Sequence, residues 1–401
     1  MLIISSRRTE KEGDTVKFKK PSWIDFNDTI YSNADIDQNS SPFDDQNKLL
    51  ECVTPLLDAI HNYTAMSEIV KRLLISSLPL LTNFRRYQWL KTLNPIVVND
   101  EQISNVHYPC HVKESRMHIA IILISNGVSM NIQEWIIYHL FIGVSSIIIY
   151  DTSTPESIQR KRFRAALRPF ISKGYVILHQ ADFNEDYNRE QERRYNEALE
   201  RYRDTYSWIG FIDSDEFVVM HQAKCLTTFL QDYSVYGAVG FQWKLYAGAL
   251  FHDSSKPTFD QYQYTETNPL VKIFVQPKLV KKMYVHHADY LNDTIFAVNT
   301  HKRRIPNVHN VDIEKVSELF AIAELRHFNM GDLQYAFYEK VCGSNQEREK
   351  HRTTRIAMLL ALFQKPPSHV LELPLRLPVA YDEFLHFMSV KNTRVTKIKG
   401  K

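Results

Sequence analysis

Four short apolar runs punctuate the middle of the chain, and a helix-period segment separates each from the next. HIAIILIS from His118, VSSIIIYD from Val144, YVILHQ from Tyr175 and WIGFIDSDEFVVM from Trp208 are rich in β-branched residues. Runs apolar on both faces belong to strands buried between two layers. The first gap holds QEWIIYHLFIG, which Asn131 can cap and Gly143 can end. The second carries RKRFRAALRPF from near Glu156, and the third NREQERRYNEALERYRDTY, with Glu190–Arg194 and Glu197–Arg201 at i,i+4 spacing. Strand and helix in strict alternation predict an α/β domain with a largely parallel sheet. Ligands of such sheets bind outside the carboxyl ends of the strands, which here are Asp151 and the stretch Asp213 to Glu216.

Around this core the chain divides into four parts. Residues 1–47 are polar and read as a disordered arm, and 48–115 as two helices and a linker. Residues 116–345 form the α/β domain, whose second half adds the strands GAVGFQWKLYAG and LVKIFVQPKLVKKMYVHH and the strand-helix segment ELRHFNMGDLQYAFYEKVCG. Residues 346–401 read as a helix and a basic tail, VKNTRVTKIKGK.

Composition excludes several classes. With 49 Lys and Arg against 46 Asp and Glu, the chain lacks the basic excess of a nucleic-acid binder. Eleven glycines and no Gly-rich phosphate loop argue against Walker and Rossmann sites. Cys52, Cys110, Cys225 and Cys342 show no zinc spacing and leave disulfides open. MLIISS is too short for a signal peptide, and Trp135 to Tyr150 falls short of the roughly 20 apolar residues of a membrane span. The sequence reads as a soluble chain without a membrane span.

Asp213-Ser214-Asp215-Glu216 is the strongest chemical signal. Read as one strand, alternation puts Asp213 and Asp215 on one side, where two desolvated carboxylates call for a hard divalent cation. Mn²⁺ or Mg²⁺ suits such oxygen ligands, a diphosphate supplying others. A second chemistry is phosphoryl transfer with Asp213 as nucleophile in a metal-dependent phosphohydrolase or phosphotransferase.

The blocks EWIIYHLFIGV…YD, WIGFIDSDEF, VKIFVQP…YVHH and LRHFNMGDLQYAFYEK, in this order, resemble glycosyltransferase family 92 over roughly residues 117 to 345. The resemblance implies a GT-A fold, a UDP-sugar donor (UDP-galactose), Mn²⁺, and inverting transfer to a glycan acceptor. It implies metal binding by Asp213 and Asp215, with His286 or His327 as rival third contacts. Donor contacts are implied for Asp151, Asn126, Lys272, Asp213, His327 and Lys340. Asp260, with Asp253 as the alternative, is implied as the base that takes the acceptor proton. Glu134, Trp135, Tyr138 and His139 match the family's EW–YH helix; their spacing reads as core, with His139 kept as a site candidate. Gln191 and Asn196 match family positions but read as polar helix surface.

The chain departs from the family at Asn126-Gly127, where Asn-Glu is usual, at His327-Phe328 and Met330-Gly331, and at YAGALFH, where His252 survives. These departures keep a non-catalytic nucleotide- or carbohydrate-binding relative as an alternative. The family implies a Golgi location behind an N-terminal anchor, and sequons stand at Asn27, Asn39, Asn62 and Asn292.

Overall fold

The structure, a computed structural model, describes residues 117–127, 132–182, 187–247, 263–306 and 320–328, with single positions 56, 58, 60, 103, 108, 110 and 258. The expected arm 1–47 and tail 346–401 lie outside the described residues, as does nearly all of 48–115.

The alternation read from the sequence is present: β1 (Ile119–Ser125), α1 (Ile132–Phe141), β2 (Ser146–Asp151), α2 (Ile158–Ser172), β3 (Val176–Gln180), α3 (Tyr187–Tyr202) and β4 (Trp208–Phe211). There follow β5 (Glu216–Met220), α4 (Leu226–Gln231), β6 (Ala238–Ala247), β7 (Gln263–Val275), β8 (Val280–Met283), β9 (Ala288–Tyr290), β10 (Ala297–Asn299) and β11 (Ala323–His327). A nine-stranded sheet runs β3-β2-β1-β4-β7-β6-β11-β5, with β10 also on β6, and β8–β9 form a separate hairpin. Pairing is parallel for β1 with β2 and β4, β2 with β3, and β6 with β10 and β11. It is antiparallel for β4–β7, β6–β7 and β5–β11. The architecture is the mixed, mostly parallel α/β sheet that the sequence predicts.

Alternation along β1 sorts its side chains into two cores. Ile119, Ile121 and Leu123 pack with α1, α2 and α4, through residues such as Ile136, Phe163 and Phe229. Ala120, Ile122 and Ile124 pack on the other face with Tyr195, Ala198 and Leu199 of α3. Buried on both faces, the strand has no use for polar residues, which is why it reads as an unbroken apolar run. No described helix is long and apolar enough to cross a membrane; within Trp135 to Tyr150, α1 ends at Phe141 and β2 begins at Ser146.

The run from Trp208 is two strands rather than one. β4 lies mid-sheet between β1 and β7, whereas β5 lies at the far edge, paired with β11. Among the described residues, the other flank of β5 meets side chains of α1 and no strand. Trp135 Nε1 donates to the Glu216 carbonyl at 2.7 Å, Tyr138 Oη to the Val218 carbonyl at 2.8 Å, and the Val218 N–H to His139 Nε2 at 3.5 Å. Buried backbone groups left unpaired are costly, so these three residues stand in for a missing ladder. His139 donates from Nδ1 to the Trp135 carbonyl at 2.8 Å, and burial pushes its pKa down to about 3. Both ring nitrogens are thus engaged inside the core, where the residue holds the backbone of β5.

Gly143 ends α1 at φ +105, and an added Cβ would stand 3.1 Å from Cys110 Cβ. That close approach accommodates the Cys110–Cys225 disulfide, 115 residues apart in sequence, which ties a segment preceding the domain to the start of α4.

Tyr138→Phe is expected to cost about 1–2 kcal/mol, by stranding the buried Val218 carbonyl. The urea midpoint should fall with little change in slope. Replacing both Cys110 and Cys225 by Ser is expected to cost about 3–5 kcal/mol through the released loop entropy, measured in the same titration.

Candidate active site

Asp213 and Asp215 occupy the turn between β4 and β5, so strand alternation does not align them. The turn is locked from within: the Glu216 N–H donates to the Asp213 carbonyl at 3.1 Å, and the Asp213 N–H to Glu216 Oε2 at 2.7 Å. Such a turn lets one chain leave the middle of the sheet and re-enter at its edge, carrying both carboxylates past the carboxyl end of β4.

Each aspartate meets its own buried partner. Lys272 of β7, 1% exposed, places Nζ 3.0 Å from Asp213 Oδ2, and Gln191 of α3 donates to Asp213 Oδ1 at 3.3 Å. His327 at the end of β11 places Nε2 3.4 Å from Asp215 Oδ2, while the Phe328 N–H donates to the Asp215 carbonyl at 2.9 Å. The two carboxylates keep 27% and 33% of their side-chain surface exposed. They face solvent while their partners are buried.

Burial alone would lower the Lys272 pKa, but Asp213 beside it, with Tyr195 and Glu216 near, holds it well above the ordinary value. His327 follows the same logic: burial lowers it, and Asp215, Glu216 and Asp213 together outweigh that and raise it. Glu216 goes the other way. Fully buried, it is pushed up to about 8 by desolvation, with Lys272 opposing and Asp213 adding to the rise. Glu216 Oε1 and His327 Nδ1 are buried without a hydrogen-bond partner among the described residues. The cluster thus sets Asp213 against Lys272 and Asp215 against His327.

The rival histidines separate. His327 sits on the Asp215 carboxylate, whereas His286 donates from Nδ1 to the Val271 carbonyl at 2.9 Å. Trp243 of β6 lies between them, its ring centroid 4.2 Å from that of His327 and 5.3 Å from that of His286.

Asp151 ends β2 as expected, but its carboxylate is buried and engaged. Oδ1 accepts from the Ser153 N–H at 3.0 Å and from the Ser153 hydroxyl, and Oδ2 pairs with Arg164 Nε at 3.1 Å and Arg160 Nε at 3.8 Å. Asn126 is exposed at the end of β1, its carbonyl accepting from Gln159 Nε2 at 2.6 Å. Gly127, where the family has Glu, adopts φ +80, a conformation a glutamate would hold only under strain. Asp253, Asp260, Lys340 and His252 lie outside the described residues.

Several contacts escaped the sequence. Gln191, read as helix surface, is 3% exposed and bridges Tyr195 and Asp213; the stripe Gln191, Tyr195, Ala198, Leu199, Tyr202 would have placed it inward. Asn196 clasps both the N–H and the carbonyl of Met283 on β8. Glu134 accepts from the N–H and hydroxyl of Thr258 at 2.7 and 2.8 Å, anchoring a segment 124 residues away. The match of residues 125–365, more than half the chain, to the glycosyltransferase family 92 profile is decisive. The chain belongs to glycosyltransferase family 92. It is similar to a glycosyltransferase family 92 protein of Oryza sativa subsp. japonica, 25% identical over 194 residues, 48% of this chain and 31% of that protein. It is also similar to the galactan beta-1,4-galactosyltransferase GALS2 of Arabidopsis thaliana, 25% identical over 185 residues, 42% of this chain and 35% of that protein. The chain spans about a third of the length of these relatives. Among solved structures, UDP-glucose pyrophosphorylase complexed with UDP-glucose matches at a TM-score of 0.23 and 7% identity, over 53% of this chain and 90% of that one. So slight a likeness carries nothing further.

Beside the aspartate turn, this family 92 domain buries a second charge cluster. Glu324 of β11 meets Arg326 Nε at 2.7 Å, Lys244 Nζ at 3.0 Å and His221 Nε2 at 3.5 Å, joining β5, β6 and β11. Burial would raise the Glu324 pKa, but His221, Arg326 and Lys244 hold it far below the usual carboxylate range. A depressed folded-state value stabilises above the unfolded value of about 4.5 and loses that contribution as pH falls below it. Glu324→Gln is expected to cost about 3–5 kcal/mol at pH 7 by leaving buried cations uncompensated. In chemical denaturation at stepped pH, the gap between wild type and variant should shrink below pH 4.5.

Proposed function

We propose that this chain is a metal-dependent transferase that moves a hexosyl group, galactose, from a UDP-sugar to a hydroxyl of a glycan, with inversion. The observation that carries the reading is the pair of partly exposed carboxylates, Asp213 and Asp215, just past β4 and backed by the buried Lys272 and His327. Family membership favours glycosyl over phosphoryl transfer, and the name of the Arabidopsis relative suggests galactose as the sugar.

The residues suit a small divalent cation, Mn²⁺ or Mg²⁺. Two hard carboxylates face outward, and His327 supplies an imidazole at Asp215. Among the described residues no group of three His, Cys, Asp or Glu side chains could hold a metal ion; in this reading oxygens of a diphosphate or water would have to supply the rest of the shell. When bound, the cation neutralises charge that gathers on a diphosphate.

The remaining chemistry belongs to the chain. Lys272, its charge fixed by Asp213, adds positive potential beside the departing UDP. Glu216 and Gln191 hold Asp213 in place through its N–H and Oδ1. The anomeric carbon–oxygen bond breaks with its electron pair leaving on UDP, and the acceptor oxygen forms the new bond from the opposite face. Asp260, or Asp253, takes the acceptor proton. The Cys110–Cys225 bond supports work in an oxidising compartment, in keeping with the Golgi lumen.

Thermal melting of the full chain with UDP, with and without Mn²⁺, tests this reading. Mn²⁺-dependent stabilisation of about 2.7 kcal/mol is expected at a hundredfold excess over Kd. Asp215→Ala should melt within a few degrees of wild type, lose the Mn²⁺-dependent part and lose about 10²–10³-fold in transfer rate. Unchanged Mn²⁺ dependence in that variant would overturn the metal assignment, and no response to any uridine nucleotide would overturn the donor assignment.

A further inference from the structure

On the α3 side of β7, the β8–β9 hairpin and the segment leading to β10 enclose a cavity of about 450 Å³. Its floor is apolar: Val271, Ile273 and Ile305 belong to the core on that face. Its walls carry both signs, Lys281 and Arg304 against Asp289 and Asp293. Tyr290 also lines it, and the buried Tyr290 hydroxyl has no hydrogen-bond partner among the described residues. An apolar floor under a few converging polar groups is the anatomy of a small-molecule site. None of these residues has a part in the aspartate turn.

The chemistry selects among ligands. Asp289 and Asp293 would repel a diphosphate, and the charged walls are unsuited to an acyl chain. A neutral sugar suits both surfaces. The C–H face of its ring covers apolar side chains, while its ring-edge hydroxyls donate to carboxylates and accept from Lys281, Arg304 and the Tyr290 hydroxyl. A chain of packed side chains links the cavity to the transfer site: His286 lines it and packs on Trp243, which packs on His327, the partner of Asp215. We propose that this cavity is the acceptor subsite, binding a neutral oligosaccharide whose reacting end extends toward Asp215. The assignment rests on the transferase reading above and adds to it the location and chemical class of the acceptor.

The test is a printed array of neutral oligosaccharides probed with the full chain, wild type and the variants Asp293→Ala and Arg304→Ala. UDP–Mn²⁺ melting shifts are recorded on the same preparations. Wild type is expected to bind a subset of glycans, and each variant to lose at least about tenfold of that signal while keeping the UDP–Mn²⁺ shift. A wild type that binds no glycan, or variants that bind as well as wild type, would overturn the subsite. Glycan binding lost in the variants, with no UDP response in any preparation, would keep the cavity as a saccharide site and remove the transferase reading.

Discussion

The geometry of the site depends on how one strand edge is closed. After the aspartate turn, β5 has β11 on one side and, among the described residues, no strand on the other. Trp135, Tyr138 and His139 of α1 supply that side with two donors and one acceptor, aimed at Glu216 and Val218. An edge strand with free N–H and C=O groups invites slippage and foreign pairing. Pinned by rigid, buried aromatic side chains, β5 keeps its register against β11, where Glu216 stands opposite His327. That register brings the His327 imidazole to Asp215 and the Glu216 carboxylate under the Asp213 N–H. The EW–YH pattern thus positions the aspartate turn through the backbone of β5.

Charge is managed by unequal burial. Lys272 and His327 lie inside, and the aspartates they meet keep part of their surface in solvent. A buried cation is costly unless paired, so Lys272 depends on Asp213 as much as it holds it. Glu216 escapes the same cost by favouring its neutral form, which keeps a third negative charge out of the turn. The Glu324 cluster obeys the opposite rule, with the carboxylate buried and Arg326, Lys244 and His221 gathered around it. It braces the strands that carry His327 and Trp243.

Much of this was legible in the chain. Long, strongly periodic segments such as β1 to α3 followed the apolar pattern closely, because their partners are neighbours in sequence and burial dictates their composition. Gly143 was readable as the end of α1, and Glu190–Arg194 as a helix pair, now seen at 2.7 Å. Reading Trp208 to Met220 as one strand failed because β4 and β5 share composition but not location. Gln191 was misread because a polar residue on a charged helix looks like surface until its partner, 22 residues away, is known.

The sequence by itself determined the class of sheet, the order of its elements and the place of the Asp213 and Asp215 carboxylates past a strand end, since these follow from local periodicity and from where strands end. Tertiary structure alone decided which cation serves which aspartate, that His327 rather than His286 meets Asp215, and that Asp151 spends its oxygens on Ser153 and two arginines. It also decided that Cys110 pairs with Cys225. The physical reason is separation along the chain. Lys272 and His327 reach the turn on strands paired far from it in sequence, and such contacts are fixed by register and burial across the whole sheet.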